Sequence, residues 1–415
     1  MELMQRSQLP SRQKGITMVL VTVGLIAIIG MTGLALDMGH AYLNNTRLQN
    51  ALDASALSGA KTVNDGFSTL TAETDAVTTF NLHLEGEMAD AGLVPTIEFS
   101  TTLDPFVPGA VEPDARYVRA RINNFPMTVW FARVLPDVGN IQSVAASAVA
   151  GPSPPLGGPD TETCDLAPFM LCDGSGGTDT DCTDGDCYGY PVGDEICIKS
   201  PSPAGQDSGP GDNPQGAEGC DSFDEVSTGN FQLVELSCGS GGNCIRKQLA
   251  GEFSGCLAEG EETNIDTEPG NKVGPVSQGL NTRFGQYAGP VNINDHPPDV
   301  VTAEDLTYSE YESLVSSGPY DFPIPTGVPK RRVVAVPVGT CDGAASGSTT
   351  LPLAGLACFF LTQPAVQAGN EQGVYGELIE SCQASGEIIE APPDPSAGPP
   401  LYKIILYKDA DSRDS

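Results

Sequence analysis

The pattern of apolar and polar positions begins with a rod. Residues 16–36, ITMVLVTVGLIAIIGMTGLAL, carry no charge, and Asp37 ends the run. These 21 residues in a helix cover roughly 30 Å, the hydrocarbon thickness of a bilayer. Gly24, Gly30 and Gly33 lie inside the run, where a membrane helix tolerates them better than a soluble one. From Asp37 to Ala60 there is no Pro. Ala41, Leu48, Leu52, Ser55 and Gly59 recur at helical spacing, with small residues towards one end. Such a stripe suits close packing against a partner helix or the following domain.

Further on, Ala72, Ala76, Phe80 and Leu84 recur every fourth residue and predict a helix over 71–84. Residues 96–101 (TIEFST) and 117–122 (YVRARI) alternate as strands, and 141–150 (IQSVAASAVA) reads as a strand of small residues. Residues 127–135 (MTVWFARVL), after Pro126, are read as a helix burying Trp130, the only Trp; an exposed anchoring role for that ring is the alternative. The order α-β-β-α-β predicts a three-stranded sheet with helices on one face, continuous with the first helix. Residues 151–160 (GPSPPLGGPD) read as a linker. Residues 161–330 are loop-rich, with a short helix expected between Cys244 and Cys256. The runs 331–338, 355–361, 375–382 and 401–407 read as strands, the first two apolar enough for central positions. Lys330, Arg331 and Arg332 open the first of them and are read as a solvated strand end.

The fold class expected is α+β. A cytoplasmic stub (1–15) precedes a transmembrane helix (16–36). The helix extends into a small α/β domain (37–150). A linker (151–160) leads to a loop-rich, disulfide-bonded domain with a mainly antiparallel sheet (161–415).

Charge narrows the function. A net charge of −34 and a pI near 4.1 argue against nucleic acid and against peripheral attachment to anionic lipid, both of which need Lys and Arg. The few basic residues at the start, Arg6, Arg12 and Lys14, flank the apolar run on its N-terminal side only. The positive-inside rule then leaves the N-terminus in the cytoplasm and the rest outside. Cysteine usage points the same way. Cys164, Cys172, Cys182, Cys187, Cys197, Cys220, Cys238, Cys244, Cys256, Cys341, Cys358 and Cys382 all follow the apolar run. Their spacings are too long for a zinc site, and they read as disulfide candidates formed in an oxidising compartment.

Candidate chemistry is sparse. Asp179, Asp181, Asp184 and Asp186 crowd a Gly-rich loop, as hard oxygen ligands for calcium would. The EF-hand pattern is not met, because position twelve from Asp179 is Tyr190. A pinned acidic loop is the simpler reading. No phosphate loop, zincin motif or nucleophile elbow occurs. His83 and His296 are read as surface residues. No cofactor is expected beyond candidate calcium, and the reading is non-enzymatic.

Lys14-Gly15, the apolar run, the stretch from Gly33 to Gly39, Tyr42 and the stretch from Leu48 to Ala60 together resemble the N-terminal segment of TadE/TadG-like proteins of Flp (tight adherence, Tad) pilus assembly. The stretch from Gly270 to Tyr287, with Gly229-Asn230-Phe231, resembles the later part of longer members. The resemblance implies a bacterial inner-membrane anchor with a periplasmic C-terminal part. Its partners would be other pilus-assembly proteins or pilin-like helices. The start also resembles a prepilin, with processing between Gly15 and Ile16. Leu20 stands where a prepilin carries Glu, so a retained anchor is expected. The reading from another class is a surface or secreted calcium-dependent adhesin sharing the same anchor.

Overall fold

The computed structural model describes residues 16–131, 141–154, 156, 161–175, 185–199, 231–236, 238–252, 254–259, 264–341, 348–365, 373–386 and 401–409. One helix, α1 (Ile16–Asn64, 49 residues), sets the frame. No Pro interrupts it, and it extends roughly 70 Å. Its surroundings change along its length. Residues 17–32 are exposed throughout, whereas Leu48, Leu52, Ala56 and Ala60 are fully buried.

The chain turns back at Gly66, whose φ of +94° is left-handed territory that Gly enters without cost. Helix α2 (Thr69–His83) follows, its first turn capped by Ser68, whose hydroxyl accepts the Thr71 N–H at 3.2 Å. It buries Ala72, Ala76 and Phe80. Small residues let the two helices touch. The Ser55 hydroxyl donates to the Ala76 carbonyl at 2.8 Å. A Cβ added at Gly59 would stand 3.2 Å from Ala76 Cβ and 3.1 Å from Val118 Cγ1. The stripe on α1 is thus covered by the domain that follows it.

Strands β1 (Thr96–Ser100), β2 (Tyr117–Thr128) and β3 (Ile141–Pro152) form an antiparallel sheet beneath α1 and α2. Two expectations are corrected here. The sheet has four strands, because Ile404–Tyr407 returns from the far end of the chain to pair with β3, Tyr407 opposite Val149. And residues 127–131 are not helical. β2 runs through Met127 and Thr128, pairing with Gln142 and Ile141. Phe125, Met127 and Val129 point inward while Pro126, Thr128 and Trp130 point outward. Period-two burial on a paired strand outweighs any local helical tendency. Trp130, expected in a core, is 49% exposed. Residues 132–140 lie outside the described residues.

The second part of the chain is built on β4 (Thr161–Leu166), β5 (Glu195–Lys199), β6 (Val333–Gly339), β7 (Thr350–Leu361) and β8 (Val374–Ile379), ordered β4-β6-β7-β8-β5. β6 meets β4 in parallel, and the remaining neighbours are antiparallel. β6 and β7 are almost continuously apolar because both faces of the sheet are covered. Val334, Val336, Val338, Ala357 and Phe359 pack with α3 (Gly242–Ala250) and α4 (Val273–Leu280). Ala335, Leu356, Cys358 and Phe360 pack on the other side with Tyr311 and Val315 of α5 (Tyr308–Ser317). The overall fold is α+β, and α3 is the short helix expected between Cys244 and Cys256.

Disulfides join Cys164 to Cys256, Cys172 to Cys341, Cys238 to Cys244 and Cys358 to Cys382. Cys187 and Cys197 are disulfide-bonded as well. Cys182 and Cys220 lie outside the described residues.

The two parts are tied to each other. Phe67, just past α1, is buried in the second part's core and meets Tyr320 edge-on at 5.8 Å. Gln383 donates to the Asp65 carboxylate at 3.0 Å, and Ser147 of β3 donates to Asp409 at 2.6 Å. In the stretch read as a linker, Gly151 and Pro152 belong to β3 and Leu156 is fully buried.

Candidate functional site

α1 is long and apolar enough to cross a membrane. Within its apolar run, twelve large apolar side chains stand open: Met18, Val19, Leu20, Val21, Val23, Leu25, Ile26, Ile28, Ile29, Met31, Leu34 and Leu36. At about 1.5–3 kcal/mol for each such side chain removed from water, covering them is worth on the order of 20 kcal/mol. A folded domain has a net stability of roughly 5–15 kcal/mol. An apolar surface of this size is consistent with burial in a membrane. Its hydroxyls are compatible with one. Thr22 and Thr32 donate to the carbonyls of Met18 and Ile28, one turn back, each at 2.8 Å.

Where the apolar run ends, the domain closes around the helix in a collar. Asp37, the first charged residue, is 8% exposed. Its carboxylate accepts the backbone N–H groups of Trp130 at 3.1 Å and Phe131 at 2.9 Å. These amides follow the end of β2 and have no strand partner among the described residues, so the carboxylate supplies their acceptors. Gly33 allows the approach. A Cβ at that position would stand 2.7 Å from Phe131 Cβ, whereas Gly24 and Gly30 face open space. One turn beyond Asp37, His40 stacks on Trp130, centroids 4.3 Å apart at 23°. His40 Nε2 also meets Glu87 Oε1, which the 3₁₀ turn Gly86–Met88 presents. Asn44, buried, donates to the same Glu87 oxygen at 2.7 Å and packs on the Met127 sulfur at 3.3 Å. The outer rim carries Trp130 and Phe131 (47% exposed), with Met38 and Tyr42 open on the helix.

Of these residues, the sequence marks Asp37 as the end of the run and as part of the Gly33–Gly39 resemblance, places Phe131 in a helix expected over 127–135, and gives no signal for Glu87 or Asn44. Trp130 had a usable signal. The alternation of Phe125, Met127 and Val129 already directs it outward.

A second polar centre lies under α5. The basic cluster is not a solvated strand end. Arg332 is fully buried, its guanidinium 4.4 Å over the Phe360 ring and 4.6 Å over Phe284. It donates to the carbonyls of Leu361, Ala303 and Thr362 at 2.8–3.1 Å. Asp299, also fully buried, accepts from the Arg332 backbone N–H at 3.0 Å, the Val301 N–H at 3.0 Å and the Tyr311 hydroxyl at 3.0 Å. Burial raises its carboxyl to about 6, against the pull of those hydrogen bonds and of Arg332. Lys330 pairs with Glu312 at 2.9 Å. These bonds fasten α5 and the 299–303 segment to the start of β6. They are internal, and they account for the charges as structure.

His296 is corrected too. It is 5% exposed, and its carbonyl accepts the Tyr287 hydroxyl at 2.7 Å. His83 lies exposed at the end of α2. The polar stretch 270–287 forms α4 and the 3₁₀ turn Asn281–Phe284, in which Asn281, Thr282 and Arg283 are buried. Asn281 both donates to and accepts from the Ala365 backbone, at 2.9 and 2.8 Å, and Arg283 donates to the Leu249 carbonyl at 3.0 Å.

Of the candidate calcium ligands, Asp179, Asp181 and Asp184 lie outside the described residues. Asp186 is exposed on a two-residue strand, Asp186–Cys187. Gly15 also lies outside them, and Ile16 begins α1. Glu162, Cys164 and Cys256 come together, but the two sulfurs are bonded to each other and offer no thiolate. A cleft of about 580 Å³ separates the two parts of the chain, lined by Glu112, Arg116, Tyr308, Glu312, Lys330 and Glu377 among others.

Fold and collar together define a class: an α+β protein carried on one long helix whose first half is apolar and uncovered. The relationship is narrower than the class. Residues 15–62 match the Tad family, described as Flp pilus-assembly TadE/G-like, and the chain carries that segment as α1. No curated protein matches the chain, and no solved structure does.

Proposed function

We propose that this protein is a non-enzymatic, membrane-anchored component of Flp-type pilus assembly. α1 spans the bacterial inner membrane with its N-terminus in the cytoplasm, and the disulfide-bonded remainder faces the periplasm as a docking surface. One observation carries the reading. The family match at 15–62 coincides with the helix whose first half is apolar, exposed and long enough to cross a membrane. The basic flank at Arg6, Arg12 and Lys14 and the disulfides, which need an oxidising compartment, support the orientation. Partners on this reading are other pilus-assembly proteins or pilin-like helices. The small α/β domain (37–150) and the larger disulfide-bonded domain (161–415) would then be two bodies joined by the exchanged strand Ile404–Tyr407. The test is deletion of the coding sequence with pili counted by electron microscopy. Loss of Flp-type pili, restored by the intact chain, is expected, and unchanged pilus number overturns the reading.

A further inference from the structure

The collar faces a second surface besides the helix it grips. Phe131 lies against Gly33, three residues inside the end of the apolar run, and Trp130 lies against His40, four residues past Leu36. At 1.5 Å per residue, Phe131 is level with a point about 5 Å inside the run and Trp130 with one about 6 Å beyond it. The two rings straddle the end of the apolar run, and the headgroup zone of a bilayer is roughly 5–8 Å deep on each side. Both are about half exposed, although Phe125, Met127 and Val129 of the same segment are buried. Their backbone is clamped to α1 by Asp37, which fixes their height relative to the helix. Leu36 and Met38 are open at the same level, so the apolar surface of the rod continues onto the tip of β2.

We infer that Trp130 and Phe131 form a second membrane contact, seated in the boundary between phospholipid headgroups and acyl chains beside α1. This rests on the anchored reading above and adds to it. The domain would be held against the bilayer at two points and so fixed in tilt, which one helix does not do by itself. The recognition is apolar and amphipathic rather than ionic, as a net charge of −34 requires, and zwitterionic phosphatidylcholine suffices. An indole at this depth keeps its N–H within reach of headgroups and water while its ring lies in the apolar margin.

Trp130 is the only Trp of the chain, so its fluorescence reports this position without labelling. The full chain would be placed in phosphatidylcholine nanodiscs containing phosphatidylcholine brominated near the headgroup end of the acyl chain or near its terminus. Quenching by about twofold with the shallow bromines, and clearly less with the deep ones, is expected for a boundary residue. A second variant carries Ile26→Trp together with Trp130→Phe, which moves the reporter to the middle of the run. If that reporter is quenched by deep bromines while Trp130 is quenched by neither lipid, the anchor stands and the second contact is refuted. If neither reporter is quenched, the anchored reading fails and the inference fails with it. Shielding of Trp130 from both bromolipid and aqueous iodide, increasing with the number of chains per disc, assigns the surface to a second copy and overturns the lipid contact.

Discussion

Replacing Asp37 by Ala tests the collar at its smallest part. The carboxylate accepts two backbone N–H groups, at 2.9 and 3.1 Å, and is itself nearly buried. Hydrogen bonds to an ionised partner contribute about 1.5–3 kcal/mol each. Trp130 and Phe131 are half exposed, so water replaces part of what is lost, and a net cost of about 3 kcal/mol for local opening is expected. At 1.4 kcal/mol per factor of ten, amide exchange at Trp130 and Phe131 should quicken roughly 100-fold. Asp37→Asn keeps one carbonyl acceptor and should give roughly the square root of that effect. The assay is hydrogen–deuterium exchange of the full chain in phosphatidylcholine nanodiscs, resolved to single residues over 125–131. Ala120, opposite Ala148 in the middle of the sheet, serves as the internal control and should not change. Unaltered exchange at Trp130 and Phe131 in Asp37→Ala would refute the clamp. Equal acceleration at Ala120 would show that Asp37 supports the whole sheet instead.

Three further outcomes are expected. Phe67→Ala empties a site in the second part's core and removes the edge-on contact to Tyr320; it should lower stability by about 3–5 kcal/mol, read as earlier chemical unfolding of the region 300–320. Replacing Cys172 and Cys341 together by Ser opens a link between residues 169 apart in sequence and should cost about 2–5 kcal/mol, measured by denaturant titration without reductant. Lys199 is fully buried, and burial pulls its ammonium down to about 7. Between that value and the ordinary lysine value the unfolded chain holds the extra proton, so stability should rise with pH there, by about 2 kcal/mol from pH 7 to 9. Lys199→Met should abolish that increment, which paired denaturation curves at the two pH values would show.

The legible parts of this chain are those in which local pattern and final environment agree. The small-residue stripe of α1 and α2 follow from periodicity because one layer covers one face, and the rod and the apolar strands β6 and β7 follow from their continuous apolar runs. The unreadable parts depend on partners distant in sequence. Nothing near Ile404–Tyr407 says that it pairs with β3, about 250 residues earlier in the chain. Arg332 reads as a solvated charge because its local neighbours are basic; its two aromatic faces and carbonyl acceptors come from residues 284, 303, 360 and 361–362. Asp37 marks the end of an apolar run in any reading. That it also holds the tip of β2 requires knowing which strand arrives there. Trp130 is legible in the sequence as an outward-facing ring, because Phe125, Met127 and Val129 alternate with it along one strand.

The most direct measurement of the central claim is fractionation followed by protease treatment of intact spheroplasts. The account predicts that the chain stays with membranes after alkaline carbonate extraction, and that external protease removes the disulfide-bonded part while a short fragment containing the apolar half of α1 survives. Release of the chain into the carbonate supernatant, or full protection of its C-terminal part in intact spheroplasts, would contradict it.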